Sequence, residues 1–577
     1  MLRTLPETIN TEIDLYIRTY YSLLRSSEPI RIRSLEESYS ITRASLHPEP
    51  SAPHIDVAAF TYAVARLPGA IHKTTHVIMG QSEDVFLSRG GKDIRSWQRV
   101  FARARRRKMF FDSNSTLACF IASVSDIDDL IPMLTAFQIE WNKIHNRLLN
   151  SSVRDCLIEC APAVLAKDDI RQSLIEDLAL TEEDFDKLCQ SWEGNLDSFF
   201  EAVANEPMDL IIHLLAGSLS DYRQAVQNWW RGVVSAAGVK EIFSRGVYFV
   251  SSNPHAIPNL LSGYKDMVSE KLVKYLYTKN PEGLVAEYER LGEIDDEGQK
   301  SNLLYYILRD YLHSDKGLKA EVKKVLVESG IYSVGKTKNL DVGVQVIEIN
   351  SLDPKLFDSR LSMENLELLK KSNALIVNID YPLGMAAYHL YSQISANISS
   401  IKGMYIMGKA ATLNGRVGDV MLPNVVFDEH SKNTFLFKNC FNAGDVNPYL
   451  THGTVFDNQK AVTVRGTLLQ NQHFMGLFHK EGYTDIEMEA GPYLSAIYED
   501  IYPQRYPRNE IVNLFINAPF DIGVIHYASD TPYSKRKSLL SKSLSYFGVD
   551  STYGTSVAVL RRILQTEINS LRQPYSD

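Results

Sequence analysis

Cysteine is scarce in this sequence, and its scarcity excludes a disulfide-stabilised scaffold. The chain has five cysteines in 577 residues, an odd and scattered set that is typical of reduced thiols in a cytoplasm. Cys156 and Cys160 are spaced to share one face of a helix, but no CxxC or HxxxH pattern stands near them. We therefore expect buried, apolar thiols and no metal site.

Long apolar runs and an excess of positive charge are also missing. The longest apolar stretches, such as the one around residues 211–217, are far shorter than the roughly 20 residues that span a bilayer. The N-terminus has no apolar core of the secretory type. The net charge is −9, so the chain has no general electrostatic attraction for nucleic acid. These absences predict a cytoplasmic protein that binds neither membrane nor nucleic acid.

The residues that are present form an ordinary globular mixture of alternating strands and helices. Apolar residues make up 45% and charged residues 23% of the chain, and the length predicts two to four domains. Residues 75–80, 118–123 and 246–252 have the pattern of buried strands, and 126–149 has a helical period with Asp126 as its N-cap. This alternation predicts α/β layers.

A long charged stretch with a helical pattern divides the chain. It covers residues 265–335, and a new alternation of strands and helices begins with the β-rich run 342–349. We therefore expect three parts, namely an N-terminal α/β region at 1–264, a helical connector at 265–340 and a C-terminal α/β domain at 341–577.

Basic residues recur at helical spacing in the N-terminal region. Arg95, Arg99, Arg103 and Arg107 stand four apart, and on a helix they would form one stripe. By default such a stripe is a solvated or salt-bridged face. The sharper interpretation is a site for RNA or a phosphorylated ligand. The short polar loop 251–255 is a further candidate for a ligand site.

The C-terminal domain carries polar and glycine residues at the ends of its predicted strands. A buried strand at 374–380 breaks at Tyr381, and Gly384 precedes the helix that follows. The next strand, within 403–423, leads into a turn of small residues, and such a turn lets an anion approach backbone N–H groups. The residues of this predicted turn are Gly408, Lys409, Ala410, Ala411 and Thr412.

Two acidic motifs follow at later strand ends. Glu487, Met488 and Glu489 stand where a strand enters a helix, and Ser529 and Asp530 end the last strand. Ligands of α/β sheets bind at the carboxyl ends of strands, so we expect these motifs to converge on one pocket.

The order of these segments is similar to the nucleoside phosphorylase superfamily, which includes purine nucleoside phosphorylases and methylthioadenosine/adenosylhomocysteine nucleosidases. The resembling motifs are the 408–413 turn, the Gly418-Asp419-Val420 strand, Met488-Glu489 before a helix, and Ser529-Asp530. Each motif is weak alone, but four in this order within 341–577 are specific to the superfamily. The resemblance implies a three-layer α/β/α domain with a mixed sheet. It also implies cleavage of the N-glycosidic bond of a purine-type nucleoside or nucleotide.

The resemblance further implies roles for single residues. Asp530, beside Ser529, would protonate the departing base, which requires a carboxyl group with a raised pKa. Glu489 would accept hydrogen bonds from the ribose hydroxyls, and Met488 would pack under the sugar. The other residues expected in the substrate pocket are Glu487, Gly384, His526 and two aromatics that could stack on the base, Tyr381 and Phe474. The residues expected to face a phosphate or other anion are Gly408, Lys409, Ala410 and Thr412.

Three positions depart from the family pattern. Lys409 stands where the family has a phosphate-binding serine or threonine, and Ile406 where its phosphorylases often keep an arginine. His526 stands where its nucleosidases tend to carry an arginine. Both phosphorolysis and hydrolysis therefore stay open, with inorganic phosphate as a candidate co-substrate and no cofactor expected.

Less specific interpretations also stay open. Asp530 could be an ordinary helix cap, Glu489 a helix-start carboxylate and Lys409 a solvated lysine. The whole chain could be a non-catalytic nucleoside or nucleotide sensor that keeps the fold. Members of the superfamily pair subunits around the active site, so the resemblance implies a dimer or a larger even oligomer.

Overall fold

The computed structural model of the chain describes residues 11–26, 28–158, 168–294, 296–335, 337, 339–514, 518–531 and 546–572. The chain folds into two compact units. The first comprises Met1–Val226, Lys338–Asp341 and Val464–Lys480, and the second comprises Gln227–Thr337, Val342–Thr463 and Glu481–Asp577. Each unit therefore joins segments that are far apart in sequence.

Helices and strands alternate in both units. The helices of the described residues are α1 Thr11–Leu24, α2 Glu36–Thr42, α3 Val57–Arg66, α4 Glu83–Ser88, α5 Val124–Leu148, α6 Asp168–Leu178, α7 Glu182–Ser191, α8 Leu196–Asn205, α9 Leu219–Ala237, α10 Ala256–Ser262, α11 Tyr264–Met267, α12 Ser269–Lys279, α13 Val285–Glu293, α14 Glu297–Ser314, α15 Lys316–Glu328, α16 Met385–Ser395, α17 Ala443–Val446, α18 Gln472–Lys480, α19 Ala490–Ile501 and α20 Phe547–Arg572. The strands of the same residues are β1 Ile30–Arg31, β2 His76–Gly80, β3 Gln98–Val100, β4 Met109–Phe111, β5 Thr116–Phe120, β6 Ile211–Leu214, β7 Gly246–Ser252, β8 Ile331–Val334, β9 Val344–Glu348, β10 Leu375–Asp380, β11 Ser400–Thr412, β12 Val420–Asp428, β13 Thr434–Leu436, β14 Val455–Thr463, β15 Asp485–Glu487, β16 Ile511–Asn513 and β17 Asp521–Asp530.

The first unit is built on a sheet with the strand order β1-β6-β2-β5-β4-β3, in which β2 pairs in parallel with β5 and β6. The strands predicted at 75–80 and 118–123 correspond to β2 and β5, and the helix predicted at 126–149 corresponds to α5. Ser123 rather than Asp126 is the N-cap of α5, because its side chain accepts a hydrogen bond from a backbone N–H of the first turn. The sequence pattern therefore predicts these two strands and this helix, but not the residue that caps the helix.

The arginines at helical spacing do not lie on one helix. Arg99 lies in β3, and residues 101–108 have no regular secondary structure. Arg107 is buried and forms an ion pair with Asp129 at 2.8 Å, whereas Arg103 donates hydrogen bonds to backbone carbonyl groups. These arginines therefore form no helical stripe, and their side chains point to different partners.

Helices cover both faces of the sheet in the second unit. Tyr248 and Phe249 are neighbours on β7 and therefore face opposite ways. The Tyr248 hydroxyl donates to Glu567 of α20, whereas the Phe249 ring packs edge-on against Tyr391 of α16 and Tyr493 of α19. The sheet is mixed, since β10 is parallel to β7 and antiparallel to β9. The expected three-layer α/β/α class is confirmed for this unit.

Part of this sheet closes on itself. Its strand order is β16-β13-β12-β14-β15-β11-β7-β10-β9-β8, and β17 pairs with both β11 and β12. The five strands β12, β14, β15, β11 and β17 therefore form a closed ring, from which β7, β10, β9 and β8 continue as an open sheet. The ring places strands that are distant in sequence side by side.

Strand β7 lies inside the sheet of the second unit, although it precedes residue 341. It pairs in parallel with β10 on one side and with β11 on the other, and residues 227–337 belong to this unit. The two units therefore differ from the three parts expected at 1–264, 265–340 and 341–577. Local periodicity indicates a strand but not its partners, so the sequence pattern could not assign β7 to this sheet.

Two further expectations concern the thiols and the membrane. Cys119 is buried, but Cys156 is exposed, so the expectation of buried thiols is wrong at Cys156. Cys160 lies outside the described residues. Among the described residues, the helices are either too short or too polar to cross a bilayer.

Candidate active site

Three strand ends of the second unit meet at one residue of β11. Ala411 pairs with Asp530 of β17 and with Ile486 of β15. Adjacent strands lie about 4.8 Å apart, so the backbones of Asp530 and Ile486 are on the order of 10 Å from each other. The Ser529–Asp530 and Glu487–Glu489 motifs therefore flank the carboxyl end of β11.

Strand β11 has an open edge between its neighbours β7 and β15. Pairing with β7 ends at Ile406, and pairing with β15 begins at Ala411. No strand of the described chain pairs with this edge over residues 407–410. Gly408 lies in the interval, and a Cβ atom built on it would be 3.6 Å from the ring of Tyr381. A ligand could therefore approach the β11 backbone closely beside Tyr381.

The turn expected at 408–412 is part of β11, which ends at Thr412. Thr412 is buried, and its hydroxyl accepts from a backbone N–H at 2.8 Å and donates to a carbonyl oxygen at 3.1 Å. Lys409 is exposed, because strand alternation turns its side chain away from the face of Gly408 and Ala410. The prediction of a turn is wrong because small residues suit a strand edge as well as a turn.

Asp530 occupies the last position of β17 and is half-buried. The hydroxyl oxygen of Ser529 is 2.8 Å from Asp530 Oδ2 and 3.3 Å from the carbonyl oxygen of Ala410. Ser529 therefore links the Asp530 carboxyl group to β11 next to its open edge. A carboxyl group is one of the side-chain groups that can transfer a proton in catalysis.

Glu487 organises the start of α19. It is buried, and its Oε2 accepts hydrogen bonds from the backbone N–H groups of Glu489 at 2.6 Å and Ala490 at 2.8 Å. The hydroxyl of Thr463 donates to the other carboxylate oxygen. Burial raises the pKa of Glu487. These bonds fix the backbone that carries Met488 and Glu489, whose side chains are half-buried.

A buried ion pair lies on the ring of strands. His526 Nδ1 of β17 is 2.5 Å from Asp485 Oδ2 of β15, and the two side chains are 2% and 0% exposed. Burial alone would lower the pKa of His526, but Asp485, Glu487 and Glu489 together raise it. Sequence reasoning named His526 and missed Asp485. The available signal was spacing, because Asp485 and Glu487 are two apart on a strand and share a face.

The loop after β10 borders the same region. Gly384 has φ 54° and ψ −121°, a conformation that favours glycine, and it is the N-cap residue of α16. The Tyr381 hydroxyl is 2.9 Å from that of Tyr527, and burial raises the pKa of Tyr381 well above its usual range. The polar loop 251–255 lies beside this loop, because β7 and β10 are parallel neighbours.

Phe474 does not belong to the second unit. It lies in α18, within the Val464–Lys480 segment of the first unit, where it is buried and packs against Phe478 with ring centroids 4.2 Å apart. This placement corrects the expectation that Phe474 stacks on the base. In the sequence, Phe474 stands between the Gly418-Asp419-Val420 and Met488-Glu489 motifs. In the structure, the chain leaves the second unit after Thr463 and returns to it at Glu481, so Phe474 belongs to the first unit.

The Gly418-Asp419-Val420 motif has a structural role in the second unit. Asp419 is buried and accepts hydrogen bonds from the backbone N–H groups of Arg416 at 2.7 Å and Thr454 at 2.9 Å. Gly418 has φ 96°, a conformation that favours glycine. The motif therefore fixes the entry to β12.

These features define a class of protein, an α/β protein whose mixed sheet closes in part into a ring with acidic motifs at the strand ends. Residues 32–565 match the family of unknown function DUF6909, and the chain belongs to this family. None of the curated proteins matches it.

Several solved structures are similar to part of the chain. The 5′-methylthioadenosine/S-adenosylhomocysteine nucleosidase from Neisseria meningitidis, in complex with methylthio-immucillin-A, is 10% identical with a TM-score of 0.28, over 42% of this chain and 94% of that chain. The nucleosidase from Colwellia psychrerythraea, in complex with adenine, is 10% identical with a TM-score of 0.27, over 42% and 90%. A methylthioadenosine phosphorylase from an antarctic soil metagenomic library is 7% identical with a TM-score of 0.26, over 42% and 80%.

Proposed function

We propose that the second unit cleaves the N-glycosidic bond of a purine-type nucleoside or nucleotide. The observation that carries the proposal is the meeting of Asp530, Ala411 and Ile486 on adjacent strands. Asp530, a half-buried acid, and the Glu487–Glu489 motif therefore lie on the two sides of the carboxyl end of β11. The motif order that resembles nucleoside phosphorylases also supports the proposal.

Asp530 is the proposed general acid. Cleavage leaves negative charge on the departing base, and a carboxyl group that donates a proton or hydrogen bond to the base stabilises that charge. The hydroxyl of Ser529, 2.8 Å from Asp530 Oδ2, fixes the orientation of the carboxyl group. An acid acts from its protonated form, so the proposal requires the Asp530 carboxyl group to hold a proton when the substrate binds.

Glu489 is the proposed ligand of the ribose. Its carboxylate can accept hydrogen bonds from two neighbouring hydroxyls, and these bonds can strengthen as positive charge develops on the sugar. Glu487 holds the backbone N–H of Glu489 at 2.6 Å, so the position of the ligand is set before substrate binds. Met488, which is half-buried next to it, provides an apolar surface for the sugar.

The open edge of β11 is the proposed place of the reacting bond. Gly408 leaves room beside the Tyr381 ring, which offers a flat face to a base. The backbone N–H groups of 407–410 that point away from β17 can hold either a water molecule or a phosphate, so the geometry accommodates hydrolysis and phosphorolysis alike.

Incubation with a panel of nucleosides and nucleotides, with and without phosphate, tests the proposal. Chromatography should detect a free purine base together with a sugar product. Base release without phosphate, with free ribose, identifies hydrolysis. Release that depends on phosphate, with ribose 1-phosphate, identifies phosphorolysis. No base release from any substrate of the panel contradicts the proposal.

A nucleoside sensor is the second candidate function. It is favoured by the exposed side chain of Lys409, and by His526, whose charge is already matched by Asp485. A sensor should bind a purine nucleoside in calorimetry and leave it intact after overnight incubation. Turnover that is lost in Asp530→Asn while binding persists excludes this candidate.

A further inference from the structure

A cavity separate from the candidate active site lies at the amino ends of β11 and β17. It has a volume of about 880 Å³, which is typical of pockets that hold small molecules. We call it the amino-end cleft, and its lining includes Lys402, Lys438, Phe520, Asp521 and Arg562. Strand β11 rises about 3.3 Å per residue from Lys402 to Ala411, so the cleft is about 30 Å along the strand from the candidate active site.

Three cations surround the start of β17. Lys402 lies on one side of this strand, because the next residue of β11 pairs with Asp521. Lys438 lies on the other side, because the residue after it forms a parallel bridge with Ile522. Adjacent strands are about 4.8 Å apart, so the backbones of the two lysines are on the order of 10 Å from each other. Arg562 reaches the same place from α20, with its Nε atom 2.7 Å from Asp521 Oδ2.

Carboxylates hold two of these cations in place. Lys402 Nζ is 2.6 Å from Oε2 of Glu567, whose side chain is almost fully buried. Arg562 donates to Asp521 through Nε, and its two Nη groups have no hydrogen-bond partner among the described residues. Within the same part of the chain, the exposed ammonium group of Lys438 has neither an ion pair nor a hydrogen bond. The cleft therefore presents fixed cations together with unused donors.

The chemistry of the lining favours an anion with several oxygen atoms. The three cations exceed the carboxylates of Asp521 and Glu567 by one positive charge, although the net charge of the chain is −9. Guanidinium and ammonium groups are the side-chain groups that bind phosphate oxygens. The half-buried ring of Phe520 borders the same cavity and offers an apolar surface to the organic part of a ligand. A phosphate ester matches both features.

We propose that the amino-end cleft binds a small molecule that carries phosphate, with Lys438 and Arg562 as the phosphate ligands and Lys402 beside them. The proposal goes beyond glycosidic cleavage, because the cleft contains none of the residues assigned to that reaction. A ligand at the amino ends of β11 and β17 leaves their carboxyl ends open to a nucleoside. The two sites can therefore be filled at the same time.

Calorimetry with inorganic pyrophosphate and with ADP, at low ionic strength, tests the proposal. Both should bind, and their affinity should fall as salt is added, because the cations are partly exposed. Lys438→Gln and Arg562→Gln should each weaken binding by at least about fivefold, and the double substitution by at least about twentyfold. Both side chains are exposed, so these variants should fold. No binding to the wild type, or equal binding to the wild type and the double variant, overturns the proposal.

Three control variants locate the anion. Lys438→Arg keeps the cation and should bind pyrophosphate within about twofold of the wild type. Lys323→Gln removes an exposed lysine of α15 and should leave the affinity unchanged. Gly408→Val narrows the open edge of β11 and should also leave it unchanged. Pyrophosphate binding that is lost in Gly408→Val and kept in the double variant belongs to the candidate active site and overturns the proposal.

An acidic peptide separates a small molecule from a protein partner. Hexaglutamate should bind more weakly than pyrophosphate. Tighter binding of the peptide, with the same dependence on Lys438 and Arg562, overturns the proposal in favour of an acidic segment of another protein. Wild-type protein that binds pyrophosphate in the cleft but releases no base contradicts the proposed function and supports this inference, so the two can fail separately.

Discussion

Gly384 lies next to the candidate site in a conformation that favours glycine. Its φ of 54° and ψ of −121° precede α16, and residues with a Cβ rarely adopt this conformation. Gly384→Ala should lower the free energy of unfolding by about 1–3 kcal/mol. Chemical denaturation measures the change.

A matched glycine provides the control for this substitution. Gly292 lies in α13, and a Cβ atom added there would meet no heavy atom of another part of the described chain within 4 Å. Gly292→Ala should therefore be neutral or stabilising by about 0.5–1 kcal/mol. Equal effects of the two substitutions would contradict the conformational explanation at Gly384.

Sequence reasoning at the level of residues succeeded where chemistry and local structure coincide. Glu487 and Glu489 are named by their position between a strand and a helix, and the structure has β15 and α19 there. The sequence could not give the exposure of Lys409, because it depends on which residues of β11 face the ring, and that depends on pairing with β17. Its role as an anion ligand stays a prediction. Asp485 was missed because its partner, His526, is 41 residues away in the chain.

The open edge of β11 is the element on which the proposed ligand position depends. Gly408→Val adds a side chain toward the Tyr381 ring, where even a Cβ atom lies at 3.6 Å. Valine suits a strand, so the fold should persist while nucleoside affinity falls at least about tenfold, or roughly 1.4 kcal/mol. Calorimetry measures the affinity.

Gly408→Ala is the control for the size of the added group. A Cβ atom at 3.6 Å is an ordinary contact, so this variant should bind within a few-fold of the wild type. Unchanged affinity in Gly408→Val would place the ligand elsewhere.

The sequence predicts strands and helices that have strong local patterns, but it does not predict which strands pair with each other. The predicted strand at 246–252 is β7, yet only its register with β10 and β11 shows that it belongs to the second unit. The ring of strands likewise forms through pairing between strands that are far apart in the sequence. It closes through β17, whose contacts with β11 and β12 span more than 100 residues of sequence. Such long-range pairing leaves no trace in a short window of sequence.

At the scale of the whole molecule, the chain enters the first unit between β14 and β15. Arg465, directly after this crossing, is held within the first unit by Asp128, with Nε and Nη2 at 2.9 and 2.8 Å from one carboxylate oxygen. The hydroxyl groups of Tyr20 and Tyr21 donate to the other oxygen. The sequence offered no sign of this crossing, which explains why Phe474 was assigned to the wrong unit.

Removal of the Asp128 charge tests the role of this cluster. Asp128→Asn leaves the Arg465 cation without its buried partner, which should cost about 3–5 kcal/mol of stability in the first unit. Hydrogen exchange of peptides from the first unit measures the loss. Glu183→Gln, which removes an exposed ion pair with Lys187 in the same unit, should change stability by less than about 0.5 kcal/mol. Equal protection in Asp128→Asn and the wild type would show that the pair is dispensable.

The central claim is that the second unit cleaves purine nucleosides with Asp530 as the acid, and comparison of the wild type with Asp530→Asn tests it most directly. Asparagine keeps the shape of the side chain and its contact with Ser529 but cannot donate the catalytic proton. Base release, followed by chromatography at saturating nucleoside, should fall by about 10²–10⁴-fold, while nucleoside affinity stays within a few-fold. Equal rates of base release from the two proteins, or none from the wild type, would contradict the account.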